Sequence, residues 1–467
     1  MIVTLRAGYA SPANTLSGMR RLLILALVVV LAACTSGAST ETTTPPATSG
    51  TVDTTGSTAA ATTTTVDEPD ETVPSTVASG SVIPIGIEEL PSAVQDDILE
   101  LVRTTERLRG LVFLEPPIIT VVDDDELATR VRESIEEETE DIDADEALYE
   151  LLGMVPADTD LLALYSNLYG EQVAGFYDGE EGELVVPSDD ELSALQRLTL
   201  VHELTHALTD QHFGMSGTYE RLIDQQRYDE ATAFLSLIEG DATLTEILYL
   251  QELPLDEQRA VISESLEADT SALQQVPLFV RESLVFPYTS GFEFTQRLYE
   301  LGGFSEIGRA YSQPPLSTEQ IIEPRDYRRD LPQDVPAPVS ELAGYELVYD
   351  SVWGELSWAL MFEQVLGDTV AQAAANGWGG DRYTYFFDGT DGALVVDYRG
   401  DLDRDVDELQ AALVEYVSVA MAVAEQETSG DALTFTGDDF AAVIRNGESL
   451  MFVAASDPDV GRLLIDR

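Results

Sequence analysis

The sequence predicts an α+β fold, a mostly helical core with a small mixed sheet, preceded by a disordered tether. Three observations predict it. Long stretches such as 91–109 and 228–250 carry apolar residues at helical spacing. Short β-branched or aromatic runs flank Gly- and Asp-rich turns, as at 116–123, 173–186 and 376–400. Residues 35–82 are rich in Thr, Ser, Gly and Pro and hold few large apolar side chains. Such a segment cannot bury enough surface to offset the entropy of ordering.

Taken in order, the chain starts with a targeting signal at 1–34. In "RRLLILALVVVLAAC" (20–34) two arginines precede an apolar run that ends in small residues, and Met19 is an alternative start. The run is short for a membrane span. Cys34, the single cysteine, stands where a bacterial lipoprotein signal needs it, so the stretch resembles a lipobox. That resemblance implies cleavage before Cys34 and lipid attachment to its sulfur, which places the chain on the extracytoplasmic face of the bacterial cell membrane. The plainer reading is a secretory signal with an incidental cysteine. Residues 35–82 then lift the folded part off the membrane.

A folded core is expected over 83–345 and an α+β subdomain over 346–467. "PPIITVVD" (116–123) reads as a strand, with helices near 124–139, 144–153 and 158–169. Val173–Tyr177 and Leu184–Val186 flank "DGEEG" and read as a hairpin. Ser188 and Glu191 fit a capping box that opens an amphipathic helix through 201–213. A second long helix covers 228–250, and 255–310 is helical with breaks at "FPYTSG" and "LGGF". The Pro-rich stretch 313–338 reads as loop. A helix near 351–366, a hairpin over 376–400 with a Gly-rich turn, a helix near 403–426 and a short α+β tail follow. The chain shows no internal repeat.

Charge excludes one class of partner. The chain has 86 acidic residues against 24 basic ones, every one of them arginine, for a net charge of -62. Such a surface repels nucleic acid and anionic lipid. Membrane attachment must therefore come from the lipid on Cys34. With that cysteine lipidated, no thiol is left for disulfides.

The chemistry concentrates in "VHELTHALTDQHF" (201–213), which contains all three histidines. On a helix, His202 and His206 share one face and can meet one metal ion, with Glu203 beside them as a base for its water. This segment resembles the active-site helix of the zincin metallopeptidases. The resemblance implies one zinc ion, ligands at His202 and His206, Glu203 as general base, and a peptide or protein substrate. The plainer reading is a pair of surface histidines on a helix.

Zincins differ in their third ligand. His212 has the metzincin spacing, but the glycine of that pattern is replaced by Thr209. If the helix continues through Thr209, His212 lies about 240° around the axis from His206 and points away. "IEGDA" (238–242) instead resembles the gluzincin segment whose Glu binds zinc, which puts Glu239 in that role. Gly240 and Ala242 would let this helix run close against the histidine helix, while 214–227 loops out and returns. A metal would also supply the partner that a buried Glu239 needs.

Asp241, Asp210 and His212 are candidates to support the ligands from behind. Asp241 sits about 200° around the helix from Glu239, which argues against it without a local break. Tyr288, Arg382, Tyr383 and Tyr177 are candidate donors to an oxyanion. "GWGGDR" (377–382) reads as a functional loop or as an Arg–Asp-pinned turn. "STEQIIEP" (317–324) reads as a substrate-side loop or a plain connector. The strand Val173–Tyr177 lies where zincins keep the edge strand that pairs with an extended peptide, or is ordinary sheet.

The wider chain is also similar to bacterial secreted proteins or lipoproteins that share "GFYD", "HELTHAL", "DQHF", "EGDA", "STEQ" and "GWGGDR", across most of 160–400. The leading expectation is a membrane-anchored zinc peptidase of gluzincin type. The competing expectations are a non-catalytic envelope protein with a structural zinc site, a metzincin-like site using His212, and a solute-binding module without metal.

Overall fold

A computed structural model describes residues 82–466, apart from 124, 131–141, 158, 171–174, 188–189 and 268–270. The segment expected to be a targeting signal, Cys34 and all of the expected tether except Val82 lie outside the described residues, as does most of the helix expected at 124–139. No helix among the described residues is long and apolar enough to cross a membrane.

The fold is α+β. Helix α1 (Ser92–Arg109) leads into β1 (Ile118–Val122), then α2 (Ile142–Leu151) and α3 (Leu161–Gly170). The hairpin β2 (Phe176–Asp178) and β3 (Glu183–Pro187) completes a sheet of order β1-β3-β2. β1 runs parallel to β3 and β2 antiparallel to it. β2 is therefore an edge strand.

Five helices follow: α4 (Ala194–Phe213), α5 (Met215–Asp224), α6 (Tyr228–Glu252), α7 (Leu255–Glu267) and the short α8 (Ser271–Gln275). The capping box of α4 is Ser193 with Gln196, whose side chains and backbone amides bond reciprocally, and not Ser188 with Glu191. "SALQ" carries the same signature one turn later, directly before the apolar run. Leu198 to Thr209 are buried on every side, so this part of α4 is a core helix rather than the expected amphipathic one. Residues 215–224, expected as loop, form α5. Gly214, at φ 60°, caps α4 and lets α5 start at once.

Helix α9 (Leu278–Gly302) runs unbroken through "FPYTSG" with Pro287 inside it. Only the break at Gly303 is present, and α10 (Phe304–Ser312) follows it. Gly240 of α6 faces Gly291 of α9, and not the histidine helix as expected. A Cβ on Gly240 would overlap the Gly291 carbonyl, and one on Gly291 would overlap that of Ser236. The two glycines thus set how closely α9 crosses α6.

The Pro-rich stretch is loop apart from one turn, α11 (Glu319–Ile322). The C-terminal part holds β4 (Glu346–Ser351), α12 (Gly354–Leu366), α13 (Asp368–Ala375), β5 (Trp378–Phe387), β6 (Gly392–Gly400) and α14 (Asp403–Ala420). It ends with β7 (Val423–Ser429), β8 (Ala432–Gly437), β9 (Phe440–Asn446), β10 (Ser449–Ala455) and α15 (Pro458–Ile465). Gly377 of "GWGGDR" lies in the turn that leads into β5, at φ 82°, while Gly379 and Gly380 lie within β5 at a register shift between Trp378 and Gly380. The strands form one antiparallel sheet of order β4-β5-β6-β10-β9-β8-β7. α14 carries the chain from the first meander to the second, so the last strand returns beside β6.

One hydrophobic core runs through both parts. It joins Leu204 and Leu208 of α4, Phe234 and Leu237 of α6 and Phe294 of α9 to Trp358, Phe362 and Tyr416 of the C-terminal part. The opposite face of the large sheet packs Phe386, Val395 and Val453 against Leu464 of α15.

Candidate active site

Helices α4 and α6 bring three ligand-type side chains together. His202 Nε2 lies 3.1 Å from Glu239 Oε2, and His206 Nε2 lies 3.4 Å from the same oxygen. One atom from each of the three falls within 4.8 Å of the others. Both imidazoles point this way because four residues bring the helix back to the same face.

The set is buried, at 4 % exposure for His202, 0 % for His206 and 1 % for Glu239. His206 Nε2 and Nδ1 and Glu239 Oε1 make no hydrogen bond among the described residues. Buried polar atoms with no partner are costly. A single cation between the nitrogens and the carboxylate would satisfy the inward-facing atoms, and two imidazoles with one carboxylate are the donor set of catalytic zinc sites. The residues therefore fit zinc.

The electrostatics of the three groups differ. Burial works to raise the Glu239 carboxyl, but the two imidazoles outweigh it and hold Glu239 below its ordinary range. Burial dominates at His206 and lowers its pKa, which keeps a lone pair available. Burial works the same way at His202, but hydrogen bonds to Glu239 and Glu246 outweigh it and raise its pKa.

Glu246 is the functional residue that the sequence reading missed. His202 Nδ1 lies 3.0 Å from Glu246 Oε2. A proton held there leaves Nε2 as the free nitrogen and fixes the ring. The signal was legible: Glu246 follows Glu239 by seven residues, two helical turns, so both share one face.

The other candidates for that supporting role lie elsewhere. Asp241 faces away from the histidines. Its carboxylate accepts from Arg109 Nε at 3.0 Å and Tyr311 Oη at 3.1 Å, a buried pair that ties α1 and α10 to α6. The two-residue offset from Glu239 is the reason. His212 also points away, because α4 continues through Thr209, whose hydroxyl bonds back to the Thr205 carbonyl at 2.8 Å. Its Nε2 sits 2.8 Å from the Val112 carbonyl.

Glu203 projects from α4 toward β2. The Tyr177 N–H donates to Glu203 Oε2 at 2.8 Å, while Oε1 has no partner among the described residues. Burial, with the nearby Glu239 and Glu246 charges, pushes its carboxyl well above the ordinary range; His202 and the Tyr177 N–H oppose this. Asp210, one of the candidate supports, anchors the same strand by accepting from Tyr177 Oη at 2.9 Å, and it also accepts from Ser216. Tyr177 thus positions the base rather than offering a free hydroxyl. A narrow apolar pocket lined by Leu90, Val94, Ile98, Val186, Leu200 and Glu203 opens beside it.

Tyr288 of α9 stacks near His202, with ring centroids 6.3 Å apart. It lies one turn before Gly291, so the glycine crossing carries it there. Arg382 is not at the site. Its guanidinium bonds Asp350 Oδ1 at 2.6 Å and the Asp350 carbonyl at 2.9 Å, which fastens β5 to β4. Alternation along β5 turns Arg382 and Asp381 to opposite faces. Tyr383 is buried in a ring cluster with Trp353 and Tyr349.

Asp381 is a structural hub. It accepts from the Trp353 N–H at 2.7 Å, the Gly354 N–H at 3.3 Å, Trp358 Nε1 at 2.9 Å and Trp378 Nε1 at 2.7 Å. "STEQ" is buried as well. Thr318 donates to Asp229 from its backbone at 3.2 Å and its hydroxyl at 2.6 Å.

Residues 345–464 match the model of a domain of unknown function (DUF8575). This stretch covers the seven-stranded sheet and leaves the histidines and Glu239 outside. No curated protein and no solved structure matches the chain.

Proposed function

We propose that this chain is a zinc-dependent peptidase. The observation that carries the reading is the convergence of Glu239 on His202 and His206, with an unpartnered oxygen of Glu203 on the same helix. His202, His206 and Glu239 would hold the ion. When bound, zinc supplies a Lewis acid that makes a water nucleophilic near neutral pH and polarises a carbonyl.

The chain's own residues do the rest. Glu203 Oε1, which has no partner among the described residues, accepts the proton of the attacking water. The Tyr177 N–H holds the other oxygen and so fixes the aim of the first. β2 lies at an edge of its sheet, where an extended peptide would add as a further strand. Glu246 keeps His202 oriented, and Tyr288 is the candidate donor to the oxyanion.

The same proposal includes attachment through Cys34 to the extracytoplasmic face of the membrane. Its support is the lipobox-like sequence and the net charge of -62, which leaves no basic patch to do that work. Retention of Cys34→Ser in the membrane fraction would count against it.

A second reading, a structural zinc site, is favoured by burial, since Glu203 itself is only 1 % exposed. One variant separates the two. Glu203→Gln should keep zinc near one per chain yet lose hydrolysis of a casein or peptide-library substrate by about 1,000-fold, in the range for loss of a general base. A wild-type chain that holds zinc and cleaves nothing supports the structural reading, and a chain that purifies without zinc sinks both.

A further inference from the structure

A second group of carboxylates lies between the helical core and the large sheet. Glu319 of α11, Asp330 of the loop after it and Asp401 of the turn between β6 and α14 each offer an oxygen, and these oxygens lie within 4.8 Å of one another. On so acidic a chain a cluster alone means little. Glu319 distinguishes this one. It is 6 % exposed, and no N–H or O–H among the described residues donates to its carboxylate. Burial and the charges of Glu355, Asp401, Asp330 and Asp326 together push it up to about 9. Glu355, itself 5 % exposed, is likewise pushed up to about 8, first by burial and then by surrounding carboxylates.

Three other buried carboxylates of this protein are compensated. Asp241 has Arg109, Asp229 has Thr318 and Asp381 has four N–H donors. The charges that shift Glu319 are those of carboxylates, and one of its oxygens lies within 4.8 Å of those of Asp330 and Asp401. The segments that carry the three residues are also tied to one another. The Gln333 N–H donates to the Gly379 carbonyl at 2.7 Å, and the Asp401 N–H to the Gly377 carbonyl at 2.9 Å. A Cβ on Gly379 would run into the Gln333 amide and Asp401 Oδ1. "STEQ" and "GWGGDR", two motifs that peptide hydrolysis does not use, therefore meet at this place.

We propose that Glu319, Asp330 and Asp401 bind a hard divalent cation of the calcium type, which clamps the helical core to the C-terminal sheet. An all-oxygen donor set with no His or Cys suits calcium rather than zinc. The cation supplies the positive charge that no side chain there provides. The site is independent of the zinc reading.

The test uses the full chain in detergent, dialysed free of calcium and kept in micromolar zinc. Calcium chloride should raise Tm by several degrees over sodium chloride of equal ionic strength, with about one calcium bound per chain. Asp401→Asn, at an exposed position, should fold normally and lose that rise. Glu319→Gln replaces a donor oxygen of the cation with an amide, so it should melt near wild type without calcium and below it with calcium. No calcium-dependent rise in the wild type, an equal rise in Asp401→Asn, or a Glu319→Gln chain that melts above wild type at every calcium concentration would each overturn the proposal.

Discussion

Two buried carboxylates, Glu239 and Asp381, sit in sequence motifs of similar appearance, "IEGDA" and "GWGGDR". Their surroundings differ in kind. Asp381 is surrounded by N–H donors from all three tryptophans and a glycine, so its lone pairs are used and nothing is left for chemistry. Glu239 meets two imidazoles that cannot both donate while serving as ligands, and one of its oxygens has no partner. A saturated carboxylate holds a fold together, whereas an unsaturated one facing lone-pair donors is a place for a cation. Glycine marks both motifs for the same reason, close approach of backbone, and so does not distinguish them.

The sharpest way to break this comparison is to remove each carboxylate in turn. Glu239→Ala should release zinc altogether, read by metal analysis of purified protein, while His212→Ala keeps it. Retention of zinc in the first would remove Glu239 as a ligand. Asp381→Ala should cost about 3 kcal/mol or more, read from the urea midpoint, because several buried N–H groups lose their acceptor at once. Zinc content should be unchanged; zinc loss would mean that the two regions are not separable. Glu246→Gln should weaken zinc affinity by about 10- to 100-fold in a competition titration with a chelating dye, the range for partners behind a ligating histidine.

The smallest effect concerns a third carboxylate, Asp229, which is intermediate between the two. Burial pushes it up to about 7, while the bonds from Thr318 oppose the shift. Its folded pKa lies above the unfolded value of about 4. The stability that goes with its proton is therefore complete below that value and is lost as pH rises through about 7. Wild-type Tm should fall more steeply between pH 5 and 8 than that of Asp229→Asn, and parallel curves would remove Asp229 as the cause.

Much of the site was legible because it depends on helical periodicity. His202 and His206 share a face at a spacing of four, Thr209 permits the helix to continue, and the two-residue offset of Asp241 turns it away. Glu246 obeys the same rule and could have been found from its seven-residue spacing. Arg382 was misplaced for want of a sheet register. Alternation shows that Arg382 and Asp381 face opposite ways, but not which face is core. The continuous helix through Pro287 was also hidden, since a proline reads as a break unless packing supports the turn around it.

What the sequence by itself determined is local: the α+β class, the hairpin of β2 and β3 and the histidine helix. These follow from periods and from residues that start or stop an element. Only the tertiary structure decided which carboxylates are satisfied. The Tyr177 amide reaches Glu203, Arg109 reaches Asp241, three tryptophan residues reach Asp381, and no donor among the described residues reaches Glu319. Such pairings join positions far apart in the chain, and they follow from how α9 crosses α6 and how the large sheet packs on the core. No spacing rule within one element carries that information.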